Sequence, residues 1–410
     1  MRGEGHDHGG HGHSHPLPIA PGAVPARVRR LLLLAVAPAL VATLAGLVVL
    51  WPSGEGPVRP ANLGQVVELV RAKVTNVVRS PCQQGPQNRS ICQNATIRLT
   101  SGPEKGEDSF LNVTIGPGNP TFDEGDRLVV GRSVDPLEGV IYYFADYERR
   151  APLLLLAVLF AGVVVAVGRI RGLTALLGLV ITFAVLVKFV LPAVLEGSSP
   201  ILVAIVGSAA VMFVIMYLAH GVNAQTTTAL LGTLASLAII AGLAGVFLEA
   251  ARIVNLATEE ATFLQISASQ VNLRGLLLGG IIIGSLGVLN DVTVTQASAV
   301  WALRAANPVA GARDLYRSAM RIGRDHIAST VDTLVLAYAG ASLPLLLLFT
   351  LASRPVGDVL TGELLAEEIV RTLVGSIGLV VSVPITTALA ALVASKAGPP
   401  PAAVEVPSRK

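Results

Sequence analysis

The chain has 410 residues, of which 52% are hydrophobic and only 14% charged, and its mean hydropathy is +0.66. A soluble globular protein carries roughly 25% charged residues, so the composition excludes a water-soluble fold of this size and, with it, a soluble enzyme. A net charge of +3, with no basic patch interleaved with aromatics, excludes nucleic acid as a partner.

Residues 1–30 read as a polar cytoplasmic tail. His6, His8, His11, His13 and His15 alternate there with Gly, Asp and Ser. Imidazoles on so flexible a backbone can wrap zinc, nickel or copper; the alternative is an unstructured tail that takes up divalent metal only adventitiously. No other cofactor is indicated. The first apolar block, 31–51, follows Arg27, Arg29 and Arg30 and has no clear small-x-small cleavage site, so it reads as a retained anchor with its basic flank in the cytoplasm.

Residues 52–150 form the one long hydrophilic stretch, with eleven Lys/Arg against twelve Asp/Glu. Short alternating runs at 65–70, 95–99, 110–115 and 127–130, parted by Gly, Pro and Asn, predict strands of a small antiparallel barrel or sandwich, OB-like by strand number. The two cysteines of the chain, Cys82 and Cys92, both lie here across a Gly/Pro/Asn loop. In an oxidising exterior they predict a disulfide closing a hairpin loop; a redox dithiol calls for C-x-x-C spacing, which is absent. The sequons at Asn88, Asn94 and Asn112 read as coincidence in a polar, loop-rich domain.

Further apolar blocks fall near 151–168, 172–194, 199–219, 226–248, 274–302, 327–352 and 370–395, each close to the roughly 20 residues a span needs. Basic residues gather after alternate blocks: Arg169 and Arg171, then Arg304, Arg313, Arg317, Arg321 and Arg324, then Lys396, Arg409 and Lys410. The loop 192–198 has none, and 353–369 is mainly acidic, with room for a short surface helix. By the positive-inside rule both termini are cytoplasmic. The expected fold is a polytopic α-helical membrane protein of about eight spans, with a small extracytoplasmic all-β domain (52–150) after span one, a seven-helix bundle (151–396) and a cytoplasmic tail (397–410). The excess of Arg over Lys, with abundant Ala, Val, Gly and Pro, points to a GC-rich bacterium and hence to a bacterial cell membrane.

Charged or strongly polar groups inside spans cost roughly 2.5–3.5 kcal/mol each at the centre on insertion scales, so each calls for a reason. In the 274–302 block Asp291, Thr295 and Ser298 fall at i, i+4, i+7 on one helix face, beside Asn290 and downstream of glycines with G-x-x-x-G spacing. In the 327–352 block and just before it, Asp325, Ser329 and Asp332 share one face, and His326, Thr330 and Thr333 share the adjacent one. Two helices each presenting a carboxylate and hydroxyls are equipped to pass protons between them. The alternatives are structural polar contacts, with hydroxyls bonded to the preceding turn, or contacts to substrate. No P-loop, nucleophile elbow or HExxH motif is present, so no catalytic activity is expected, and any work is driven by an ion gradient or a partner.

Three segments carry a resemblance: YFADYERR (143–150) leading into a span and a turn at 168–172, GSLGVLND (284–291), and GRDH (323–326) through TLVLAYAG (333–340). Over about residues 60–395 the chain resembles the YibE/F-like family of bacterial membrane proteins, which implies an anchor, an exterior β domain and a helical bundle but no firmly established activity. LNDVTV (289–294), followed by Arg304, a basic loop and a hydroxyl-rich span, is more loosely similar to the transmembrane halves of the SecD/SecF group among proton-driven RND-type permeases. That likeness implies proton coupling at Asp291 with Thr330 or Thr333 across from it; the extra helix pair and smaller exterior domain depart from its pattern. The expected function is an ion- or proton-coupled transporter or export-assisting permease. Its rivals are a non-transporting scaffold of an envelope complex and a metal permease fed by the histidine tail. Expected partners are the bilayer and an unknown substrate or envelope protein at the exterior domain; a homo-oligomer is compatible with the sequence.

Overall fold

A computed structural model describes residues 24–54, 68–82, 91–135, 139–254, 256, 258–351 and 355–398. The histidine tail, with His6, His8, His11, His13 and His15, lies outside the described residues, as does the loop between the cysteines. The chain divides into two compact units, Val58–Leu173 and the remainder.

In the first unit, five strands form one antiparallel sheet: β1 (Glu68–Pro81), β2 (Ile91–Leu99), β3 (Asp108–Ile115), β4 (Arg127–Asp135) and β5 (Gly139–Tyr147). The order is β3-β2-β1-β4-β5, a Greek-key arrangement in which the fourth strand returns beside the first. The end strands β3 and β5 approach each other, so the sheet is nearly closed into a barrel. Alternation puts Val70, Ala72 and Val74 of β1, Ala95, Ile97 and Leu99 of β2, and Leu128 and Val130 of β4 inside, around Phe122. Phe122 meets Phe144 and Tyr147 with ring centroids 5.4 and 6.4 Å away. The buried Gln93 fixes the loop carrying Phe122: its amide donates to the Pro120 carbonyl, and its carbonyl accepts from the Phe122 N–H at 3.0 Å. Cys82 and Cys92 are joined in a disulfide, as the spacing predicts. Arg132 and the Tyr142 hydroxyl both donate to Glu104, tying the 100–107 loop to β4 and β5; the Arg132 guanidinium pulls the Glu104 carboxyl down to about 2, against a smaller opposing effect of burial.

The helices are α1 (Ala26–Val49), α2 (Arg150–Val185), which runs through a π turn (Leu186–Val190) into α3 (Leu191–Leu195), α4 (Pro200–His220), α5 (Ala224–Ala250), α6 (Glu259–Ser267), α7 (Leu273–Ala306), α8 (Ala312–Ala341), α9 (Leu343–Leu351), α10 (Val356–Thr361) and α11 (Glu363–Ala394). Among the described residues six helices are long and apolar enough to cross a membrane: α1, the stretch Arg150–Leu195, α4, α5, α7 and α11. The pair α8 and α9, bent by 58°, makes a seventh if it is one span. The helix at 150–195 carries a non-helical residue, Arg169, with φ 51° and ψ −129°. The sequence blocks 151–168 and 172–194 meet at that break. The block expected to begin at 327 belongs to a helix that starts at Ala312, because hydropathy passes over a first half bearing Arg313, Arg317, Arg321 and Arg324.

Close approaches fix the register of the bundle. A Cβ on Gly323 of α8 would stand 2.6 Å from Val383 of α11 and 3.1 Å from the Gln296 amide of α7, and one on Gly284 of α7 would lie 3.9 Å from the Tyr338 hydroxyl of α8. These contacts set α8 antiparallel to α7 and bring Asp291 to within about a turn of Ser329 and Thr330 along the bundle. The Gln296–Thr387 bond and the contact of Gly375 with Ser285 set α11 parallel to α7.

Candidate functional site

Helix α7 carries the densest set of intramembrane polar groups. Asn272 caps it by accepting the Gly275 N–H at 2.8 Å, a role short amide side chains favour. From there the helix presents two polar faces. The buried face holds Thr293 and Gln296, both 0% exposed. The Thr293 hydroxyl shares a 2.7 Å hydrogen bond with Thr233 of α5, and the Gln296 carbonyl accepts from Thr387 of α11 at 3.0 Å. The Gln296 amide nitrogen has no hydrogen-bond partner among the described residues. Most other hydroxyls here, such as Ser236 and Ser285, bond back to the preceding turn and so cost little in an apolar setting.

The second face carries the residues singled out in the sequence. Asp291 is exposed, and Thr295 and Ser298 are half-buried; Ser298 accepts from Gln225 of α5 at 2.8 Å. On α8, Asp325, Ser329, Asp332 and Thr333 are exposed and His326 and Thr330 half-buried. The Thr330 and Thr333 hydroxyls donate to the carbonyls of His326 and Ser329, each at 2.8 Å. Helix α8 packs on its neighbours through Met320, Ile327, Val331 and Leu334. At 3.6 residues per turn, Asp325 and Asp332 point away from that face, whereas His326 and Thr330 lie closer to it. The fold therefore brings Asp291 to within about a turn of Thr330 along the bundle but does not bring the carboxylates into contact: among the described residues no hydrogen bond or ion pair links Asp291 to Asp325, His326 or Asp332.

One residue before Asp291, Asn290 opens onto a feature that the sequence did not reveal. A cavity of about 140 Å³ is lined by Thr182, Leu186, Val190, Ser208, Gly287 and Asn290, among others. Ser208 is 2% exposed, and neither its hydroxyl nor the Asn290 carbonyl has a partner among the described residues. The π turn Leu186–Val190 lies along this wall. Pro192, lacking an N–H, cannot donate back to the Lys188 carbonyl, which accounts locally for the widened turn. In sequence Ser208 is a lone hydroxyl in an apolar run, so only the packing of three helix segments reveals it.

Residues 156–396 match the family described as YibE/F-like protein. The chain belongs to that family. The match takes in all of the candidate site on α4, α5, α7, α8 and α11 of this YibE/F-like protein. The YFADYERR segment lies just before the matched residues. No curated protein and no solved structure matches the chain.

Proposed function

We propose that this YibE/F-like protein is an ion- or proton-coupled permease of a bacterial cell membrane, with Asp291 as the carrier and Asp325, His326, Ser329, Thr330, Asp332 and Thr333 of α8 as the groups that exchange with it. The observation that carries the reading is the placement of Asp291. A carboxylate near the middle of a 34-residue apolar helix, one residue after Asn290, which lines a cavity with two unpartnered polar atoms, stands where its cost to the fold is greatest. A cavity of that size and polarity has room for water, which requires polar partners of this kind. The loose likeness to proton-driven permeases supports giving the coupling role to the same residue. The break at Arg169 supports two spans in 150–195, which with the bent α8–α9 pair makes eight, both termini cytoplasmic and the β unit outside.

The test uses the full chain in liposomes with an interior pH dye, comparing wild type with Asp291→Asn under a membrane potential. Proton flux in the wild type and its loss in the variant are expected; wild-type vesicles no faster than empty ones would overturn the proposal. The scaffold reading rests on the β unit, where Phe110 is 71% exposed and Ile91 and Val78 are each 51% exposed. The metal-permease reading rests on the histidine tail alone.

A further inference from the structure

The first half of α8 carries a basic stripe that the permease reading does not use. Arg313, Arg317, Arg321 and Arg324 recur at spacings of 4, 4 and 3, so they share one helix face, and all four are exposed. None has an ion-pair or hydrogen-bond partner among the described residues. Elsewhere half-buried arginines find carboxylates, as Arg274 does with Glu249 at 3.0 Å and Arg371 with Glu368 at 2.7 Å.

The stripe borders a groove between α8 and the end of α11. Arg313, Tyr316 and Arg317 form one wall, Ala388, Ala391 and Leu392 the other, and Ala312 closes the end; the space is about 420 Å³. Its chemistry is divided: two guanidiniums and a phenol on one side, a strip of small and apolar side chains on the other. Leu392 is 56% exposed, so this strip is open to whatever fills the groove. The bundle register gives the groove a direction. Gly323 sits against Val383, so moving from Leu392 to Ala388 leads toward the middle of α11, while Arg313 stays near its end. Charge lies at the rim and apolar surface runs inward.

We propose that this groove binds an anionic phospholipid, with its phosphate held by Arg313 and Arg317, the Tyr316 hydroxyl as a further donor, and one acyl chain lying along Ala391 and Ala388. Paired guanidiniums match the geometry of phosphate oxygens, and four unneutralised arginines on one stripe supply the field that gathers anionic headgroups. Arg321 and Arg324 line an adjoining hollow with Arg317 and Asp314, and they extend the positive field beyond the groove.

The test is lipid retention by the purified full chain in detergent, read by native mass spectrometry with added dioleoyl-phosphatidylglycerol or dioleoyl-phosphatidylcholine. Wild type should retain phosphatidylglycerol at least tenfold more tightly than phosphatidylcholine. The Arg313→Gln/Arg317→Gln variant should lose that preference, and Arg313→Lys/Arg317→Lys should keep only part of it, because lysine retains charge but not the guanidinium fork. Arg27→Gln/Arg29→Gln, on the flank of α1, should leave it unchanged. Equal retention of the two lipids by wild type would overturn the proposal without recourse to any variant. So would a preference that survives in the glutamine pair, or one that falls equally with the α1 pair, which would mark a general rim effect. Full displacement of the lipid by millimolar inorganic phosphate would also overturn it, by showing an anion site indifferent to the acyl chain.

Discussion

Gln296 offers a measurement in which the sign of the effect is informative. Its carbonyl accepts from Thr387, but its amide nitrogen is buried without a partner among the described residues. Replacing it with methionine, a side chain of similar length and volume, removes both groups. The lost interhelical hydrogen bond is worth about 0.6 kcal/mol by the average of such bonds in membranes. The Thr387 hydroxyl is not stranded, because it also donates to the Val383 carbonyl at 2.6 Å. Against that loss stands relief of an unsatisfied buried donor, which costs about 1–3 kcal/mol. Gln296→Met is therefore expected to stabilise the bundle by about 1 kcal/mol. Equilibrium unfolding in mixed detergent–SDS micelles, followed by far-ultraviolet circular dichroism, should show the midpoint moving to higher SDS. A fall in stability of more than about 1 kcal/mol would refute the reasoning, since the amide must then have a strong partner such as a bound water. Stabilisation accompanied by loss of proton flux would show that the amide is kept for a contact made in another state of the bundle.

Three further perturbations test the packing and charge arguments. Gly232→Ala places a methyl group against Thr386, whose hydroxyl occupies that space; overpacking of this kind costs about 1–3 kcal/mol, and Thr386→Ala in the same chain should restore most of it on the same SDS titration. Cys82→Ser with Cys92→Ser opens a loop of sequence separation 10 and should cost the β unit about 2–3 kcal/mol, seen as faster proteolysis within 68–147 while the helical signal stays unchanged. Glu104, held at about 2 rather than its usual 4.5 by Arg132, has a depressed folded-state value. Its contribution is complete above about pH 4.5 and is lost as pH falls toward 2. Proteolytic resistance of the β unit should fall over that window in wild type and be flatter in Glu104→Gln.

The apolar blocks were legible because a span must satisfy its own backbone and be apolar for about 20 residues. The positions of α4, α5, α7 and α11 follow from that alone. Four strands were legible from period-two alternation, but β5 was not: its run VIYYFA is apolar and aromatic on both faces, so no alternation marks it, and only pairing with β4 shows it as a strand. Helix α8 was half-read for the opposite reason, since its arginine stripe hid the fifteen residues 312–326 from a hydropathy reading. In the candidate site the sequence favoured charge, and so picked out Asp291, Asp325 and Asp332. It overlooked Thr233, Thr387 and Ser208, because a neutral hydroxyl in an apolar run looks the same whether it bonds to its own helix or to a neighbour. At this site Thr293 with Thr233, Gln296 with Thr387, and Ser298 with Gln225 turn out to cross between helices.

The exposed carboxylates leave one question that the fold itself makes answerable. Asp291 and Asp332 lie near mid-height of their helices and face outward, where contact with lipid costs roughly 2.5–3.5 kcal/mol apiece. Such a cost is avoided if the face is wetted by a cleft or covered by another protein surface. The two states differ in reactivity, and the chain is suited to the measurement because its cysteines are both in the disulfide and none is free. A single cysteine placed as Asp332→Cys, in intact membranes without reduction, therefore reports alone. A hydrated face predicts modification by a charged, membrane-impermeant thiol reagent at a rate within about tenfold of an exposed loop site of the β unit such as Lys105→Cys. A covered face predicts slow modification together with cross-linking to a second copy or a neighbour. Neither modification nor cross-linking would mean that Asp332 meets lipid, and its place in the relay would then be untenable, leaving Asp291, Thr330 and the Ser208–Asn290 cavity as the path to pursue.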